Sequence, residues 1–177
     1  MNHVKQLAGQ TVVYGTGIVL PRVLNYLLLT PFYTRIFSTA EYGVITELYA
    51  YVVFLMVILT YGLETGLFRF ADSKHNKDDV YKTTLTSIVI TSFIFITVIL
   101  LLASKLAGIV GYPGHVNYIV LLALIVGLDA LSAIPFAKIR LDNRPVKYTI
   151  IRIVEVTVNL AANWLFLYWG RKHYLDN

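Results

Sequence analysis

Arg22 lies in the middle of an apolar stretch, directly after Pro21 and three residues before Asn25. A guanidinium carries a charge that is effectively never lost, and its planar fork of donors matches carboxylate or phosphate oxygens. On a helix Asn25 shares the face of Arg22. A second set sits toward the far end of the chain: Arg152, Glu155, Asn159 and Asn163, at spacings of three, four and four, fall on one helical face. Amides in that pattern can bond hydroxyl groups, while Arg152 and Glu155 at i and i+3 can also pair with each other. Glu47, Tyr51, Phe54, Ile58, Tyr61 and Glu64 step at three or four residues. They form a polar-aromatic stripe whose two carboxylates would stand about 25 Å apart on a continuous helix. Asp129 is the one charge of its own apolar run.

This is not the equipment of covalent catalysis. There is no cysteine, hence no disulfide, thiolate nucleophile or thiolate metal site. His3, His75, His115 and His173 are scattered without metal-ligand spacing. Asp72, Asp78 and Asp79 read as part of a solvated loop rather than a cation site. Gly15 and Gly17 lack the preceding strand and third glycine of a dinucleotide loop. The expectation is therefore a protein with no catalytic residue, no metal and no cofactor.

What must position these groups is a set of long helices in lipid. Of the 177 residues 57% are hydrophobic and only 14% charged, against about 25% charged in a soluble domain. The mean hydropathy is +0.67. A formal charge of +5 raises the question of nucleic acid, but the basic residues lie between apolar runs and not on one polar face, so a nucleic-acid partner is not expected. Five stretches reach the roughly 20 residues a spanning helix needs: approximately 11–33, 42–68, 83–104, 116–137 and 148–170. Runs of this length fit helices rather than the ten-residue alternating strands of a barrel, because every backbone group in lipid must be bonded internally. Ser38-Thr39-Ala40 mimics a signal-cleavage site, but the apolar stretch before it is too long and contains Arg22, so the first span is read as retained. Gly62 and Gly66 have the spacing for close helix contact, and Trp164, Tyr168 and Trp169 read as an interfacial aromatic belt.

Basic residues in short loops set orientation. Lys5, Arg69, Lys74, Lys77, Lys82, Lys138, Arg140, Arg144 and Lys147 fall on one side, and Arg35, Lys105, Arg171 and Lys172 on the other. That places the amino terminus and the two basic loops in the cytoplasm. A charge at mid-bilayer costs from about 2.5 kcal/mol to several times that, so each needs a partner, water or a task. Pro21 removes a backbone bond and favours a kink there, which suits Arg22 and Asn25 to the wall of an aqueous cavity.

The stretch "YTRIFSTAEYGV" at 33–44 resembles the loop between the first two spans of the polysaccharide-biosynthesis membrane proteins, the O-antigen and exopolysaccharide flippases of the multidrug/oligosaccharidyl-lipid/polysaccharide exporter superfamily. "YGLETGLFRF" at 61–70 resembles the end of that family's second span, and "RPVKYTIIRIVEVTVNLAANWLFL" at 144–167 its fifth. The resemblance implies an all-α integral membrane protein, here about five transmembrane helices forming part of the amino-terminal lobe of a two-lobe transporter like the multidrug exporters. Residues 1–177 would be that partial lobe, and a chain ending at Asp176 and Asn177 just after a span fits a truncation.

The implied activity is flipping of a polyprenyl-diphosphate-linked oligosaccharide across the bacterial cytoplasmic (inner) membrane for lipopolysaccharide or exopolysaccharide synthesis. Its partners would be that lipid-linked oligosaccharide, membrane lipid and other polysaccharide-assembly proteins. Arg22, Asn25, Asn159 and Asn163 would bind substrate. Glu64, Asp129, Arg152 and Glu155 would be counter-ions or ion-coupling groups. The competing readings are a drug or small-molecule exporter of the same superfamily, and a membrane enzyme or subunit of polysaccharide assembly.

Overall fold

In the computed structural model the backbone is described for residues 2–71 and 76–175, and side chains for 12–71 and 76–166 except at positions 18, 22, 25 and 32. Among the described residues six helices follow in order: α1 (Asn2–Ile36), α2 (Thr39–Thr60), α3 (Leu63–Ala71), α4 (Lys77–Ile109), α5 (Val116–Leu141) and α6 (Pro145–Leu175). No strand occurs among the described residues. Among the described residues five segments are helical, long and apolar enough to cross a membrane: Val12–Ile36, Thr39–Ala71, Lys77–Ile109, Val116–Leu141 and Pro145–Phe166. Their outward faces are apolar, with Leu101 80% and Ile109 79% exposed. In water such faces would be an aggregation surface, and in hydrocarbon they are the expected one.

Local sequence sets the helix ends. Ser38 and Glu41 form a capping box that starts α2. The Glu41 carboxylate accepts from the Ser38 N–H and hydroxyl, both at 2.8 Å, and the Ser38 oxygen accepts from the Glu41 N–H at 3.4 Å. The residues that mimic a cleavage site are thus a helix start. Asn76 caps α4 by accepting from the Asp78 N–H, and Asp78 and Asp79 place negative charge at its first turn. α1 remains helical through Pro21 and Pro31.

The second span departs from its expected form. It is two helices, broken where Tyr61 (φ 33°) and Gly62 (φ 73°) enter the left-handed region. Only glycine adopts that conformation without steric cost, so Gly62 serves as the stop of α2 and not as a helix-contact position. Nothing lies within 4 Å of a Cβ added at Gly62 or Gly66, which removes the close-contact role expected of the pair. The break also interrupts the stripe, so the straight-helix separation of Glu47 and Glu64 does not apply.

The chain forms two compact units, Met1–Tyr42 with Asn143–Asn177, and Gly43–Asp142. In the first, α1 and α6 pack side by side and parallel. The Thr149 hydroxyl donates to the Val13 carbonyl at 2.9 Å, Tyr14 meets Tyr148 edge-on at 5.5 Å, and further along the Tyr33 hydroxyl donates to Asn163 at 2.5 Å. Parallel packing is what first and fifth spans require, since an even number of crossings separates their starts. Gly17 allows the approach: a Cβ there would lie 2.8 Å from the Thr149 hydroxyl and 3.3 Å from its Cα.

In the second unit α4 and α5 form an antiparallel hairpin. Its seam is small residues, with Ala123, Gly127 and Ala130 of α5 buried against Ile88, Ser92 and Ile96 of α4, and Ala103 and Ala107 clustering with Ile119. Val52 and Leu59 of α2 and Leu67 of α3 complete the core with Leu122, Val126 and Ile134. The nine-residue α3 buries Leu67 and Ala71 and leaves Arg69 outside, the amphipathic pattern of a short helix lying along the hairpin.

Gly17→Ala should lower the thermal unfolding midpoint of the purified chain in detergent, by the equivalent of about 1–3 kcal/mol for an overpacked contact. Gly15→Ala, whose added Cβ meets nothing within 4 Å, should leave it unchanged. Equal midpoints for the two variants would mean that α1 and α6 do not pack through Gly17.

Candidate functional site: a polar seam between membrane-length helices

The spacing of three, four and four on α6 becomes a ladder of contacts. Arg152 donates to the Glu155 carboxylate at 2.8 Å, and its guanidinium stands 5.7 Å from the ring centre of Tyr148. Two turns on, the Asn163 amide donates to the Asn159 backbone carbonyl at 2.9 Å and to its side-chain oxygen at 3.1 Å. Asn163 in turn accepts from Tyr33 across the α1–α6 seam. Arg152 to Asn163 spans about 16 Å of helix. Asn159 and Glu155 are exposed, Asn163 and Arg152 half-buried. The seam therefore offers a cation, a carboxylate, two amides and a phenol along one line, groups able to bind polar ligands.

Arg22 and Asn25 lie on the α1 backbone between the Gly17–Thr149 and Tyr33–Asn163 contacts, and their side chains are outside the described residues. In the second unit Glu64 of α3 accepts from Arg140 of α5, whose guanidinium also stands 5.4 Å from the ring centre of Phe68. Asp129 is exposed on α5, with the Ser132 hydroxyl bonded to its backbone carbonyl at 2.7 Å. Lys138 bridges Asp78 of α4 at 3.0 Å and Asp142 at 3.4 Å. Trp164 is exposed on α6, while positions 168 and 169 of the expected aromatic belt are outside the described residues. Among the described residues no group of three metal-binding side chains occurs.

Sequence reasoning missed three participants. Arg140 reads as a loop cation because it follows the apolar run. The structure extends α5 to Leu141 and so keeps it on the helix, where it meets Glu64. Tyr33 reads as part of a loop motif, and its role needs a partner 130 positions away. Tyr112 reads as turn punctuation. Its hydroxyl donates to Glu47 at 2.6 Å, beside a 3.1 Å bond from Tyr51, and so ties the α4–α5 loop to α2.

The Glu47 carboxylate beside it raises the Tyr112 pKa from the ordinary 10.0. A group whose pKa is raised by folding stabilises the fold below its unfolded value and loses that contribution as pH rises through the folded one. The tether should therefore hold at neutral pH and fail only above about pH 10. Ultraviolet titration of tyrosinate should show late-titrating phenol absorbance that moves earlier in Glu47→Gln. An unshifted titration would remove the contact.

Tyr33→Phe should cost about 0.5–1.5 kcal/mol of stability, the usual net value of one hydrogen bond. Asn163→Ala should cost a similar amount, and the double variant less than the sum. Strict additivity in detergent unfolding would show that the two side chains do not interact.

The chain was compared with known proteins. No curated protein and no solved structure matches it. A family model described as polysaccharide biosynthesis protein matches residues 32–174. That match begins beside Tyr33, takes in the capping box and the broken second span, and runs through the α6 ladder, so the chain belongs to the polysaccharide biosynthesis protein family.

Proposed function

We propose that the chain takes part in moving a polyprenyl-diphosphate-linked oligosaccharide from the inner to the outer leaflet of the bacterial cytoplasmic membrane, as a transporter and not as an enzyme. The observation that carries this reading is the α1–α6 seam. Membership in a polysaccharide family is joined there to a row of hydroxyl-binding side chains on helices of membrane length. A saccharide crossing hydrocarbon loses its hydration, and amides and phenols that bond its hydroxyls offset that loss. The diphosphate is a dense anion. In this proposal Arg22 attracts it midway, with Asn25, Asn159 and Asn163 taking sugar hydroxyls. Glu155 already holds Arg152 by a direct ion pair, so this pair's part is to keep the seam polar and neutral. Glu64 and Asp129 remain candidates for ion coupling, with Glu64 restrained by Arg140.

The proposed orientation places the amino terminus and the loops around Lys77 and Asn143 in the cytoplasm. Cysteines introduced at those two positions should react only with membrane-permeant thiol reagents, and one at Ser38 with impermeant reagent from outside. A cytoplasmic Ser38 would overturn the orientation.

The central test is Arg22→Ala in the full-length protein, with lipid-linked sugar on the outer leaflet measured per protein in the membrane. Loss of most transport is expected, and only partial recovery with Arg22→Lys, because an ammonium keeps the attraction but loses the bidentate fork. Full activity in Arg22→Ala would end the substrate-binding role.

A further inference from the structure

The Glu47 carboxylate has hydrogen bonds but no counter-ion. One oxygen accepts from the Tyr51 hydroxyl at 3.1 Å and the other from the Tyr112 hydroxyl at 2.6 Å. Both donors are neutral, and among the described residues the ion pairs belong to other carboxylates. An ionised carboxylate has about four lone-pair sites, so about half of them stay open. The depth of Glu47 follows from its partner. Tyr112 belongs to the loop between α4 and α5, and a loop joining two spans lies outside hydrocarbon. Glu47 therefore stands at the level of lipid headgroups. His115 and Tyr118 share that level. The imidazole stacks on the Tyr118 ring at 4.8 Å, and that ring meets Tyr112 edge-on at 5.9 Å.

A groove of about 150 Å³ leads from this cluster between α2 and α5. Ile45, Leu48 and Val52 line one side, and Tyr118, Leu121 and Ile125 the other. The two helices run in the same direction here, since Glu47 meets the loop that precedes α5 and Glu64, beyond α2, meets Arg140 near the end of α5. Each wall covers about 10 Å of helix. The groove thus descends from headgroup level into hydrocarbon. We propose that it is a phospholipid site, with one acyl chain in the groove and a primary-ammonium headgroup on Glu47. This inference stands apart from transport of a lipid-linked sugar.

Charge complementarity selects the headgroup. An ammonium supplies the missing counter-ion together with N–H donors for the open lone pairs, and a charge-assisted bond of that kind is about twice as strong as a neutral one. A quaternary ammonium has no N–H to donate, and an anionic headgroup is repelled. The phosphate beside the ammonium needs a donor of its own. His115 spends its ring face on Tyr118 and keeps its edge N–H for that phosphate. A metal ion is not matched, since among the described residues no cluster of three metal donors occurs. Nor is a compact ligand, whose sites hold roughly 300–1,000 Å³. The groove is smaller and lined by aliphatic and aromatic side chains, as a slender acyl chain requires.

The test is native mass spectrometry of the full chain, purified in detergent and offered equal amounts of three phospholipids with the same acyl chains: phosphatidylethanolamine, phosphatidylcholine and phosphatidylglycerol. Wild type should retain one phosphatidylethanolamine about tenfold in preference to either of the others, the margin of one charge-assisted hydrogen bond. Glu47→Gln should lose that preference and still retain phospholipid. Leu121→Trp, at a lining position 56% exposed, should fill the groove and cut retention of all three lipids severalfold, with helix content by circular dichroism unchanged. Equal retention of the three lipids by wild type would overturn the headgroup assignment without recourse to any variant. A preference that survives Glu47→Gln would overturn it as well. Wild-type retention in Leu121→Trp would show that the chain does not lie in the groove. If wild type retains no phospholipid, the groove is covered by something else and the site falls.

Discussion

Hydrocarbon offers no water to compete for a polar side chain, and that constraint shapes each contact between these helices. Apolar burial cannot drive association when the solvent is as apolar as leucine. What remains is close approach at small residues and hydrogen bonds that have no alternative partner. The α1–α6 pair uses both. Gly17 lets the backbone reach Thr149, and the Thr149–Val13 and Tyr33–Asn163 bonds fix the register on either side of residues 22–25. Each such bond contributes only about 0.6 kcal/mol on average in a membrane protein. Their value is specificity of register more than stability.

The second unit solves the same problem with a different division of labour. α4 and α5 meet through a seam rich in alanine, glycine and serine, with the Lys138–Asp78 ion pair joining them at one end. The α2–α3 segment adds its carboxylates to the apolar contacts of Val52, Leu59 and Leu67, with Glu47 bonded to Tyr112 at one end and Glu64 to Arg140 at the other. The break at Tyr61 and Gly62 lets a single segment satisfy both. A straight helix would carry its two carboxylates along one fixed line, whereas the turn redirects α3 along the hairpin, where Arg140 and Phe68 meet.

The proposed function draws on the same groups. Residues that hold helices together in lipid are of the types that bind a polar cargo crossing it: amides, phenols, a guanidinium. Asn163 shows the overlap, since it bonds Tyr33 for the seam and lies beside the exposed Asn159. A seam built from such groups can exchange a protein partner for a sugar hydroxyl at little net cost, because one hydrogen bond replaces another.

The sequence by itself determined the class of the molecule and the faces of its helices. Apolar runs of membrane length, in a chain with so few charges, admit helices in lipid and little else. The four residues from Arg152 to Asn163 share a side because 3.6-residue periodicity is a local property. The Arg152–Glu155 pair was legible for the same reason, being contained in one turn. Tertiary structure decided everything that joins distant positions. Arg140 could not be paired with Glu64, nor Tyr33 with Asn163, from spacings of 76 and 130 residues, because helical periodicity says nothing about which helix lies alongside. The division of the second span was written locally, in a glycine, but hydropathy does not register it: Gly62 is apolar enough to pass within a span, and only its left-handed φ shows that it ends one helix before the next begins.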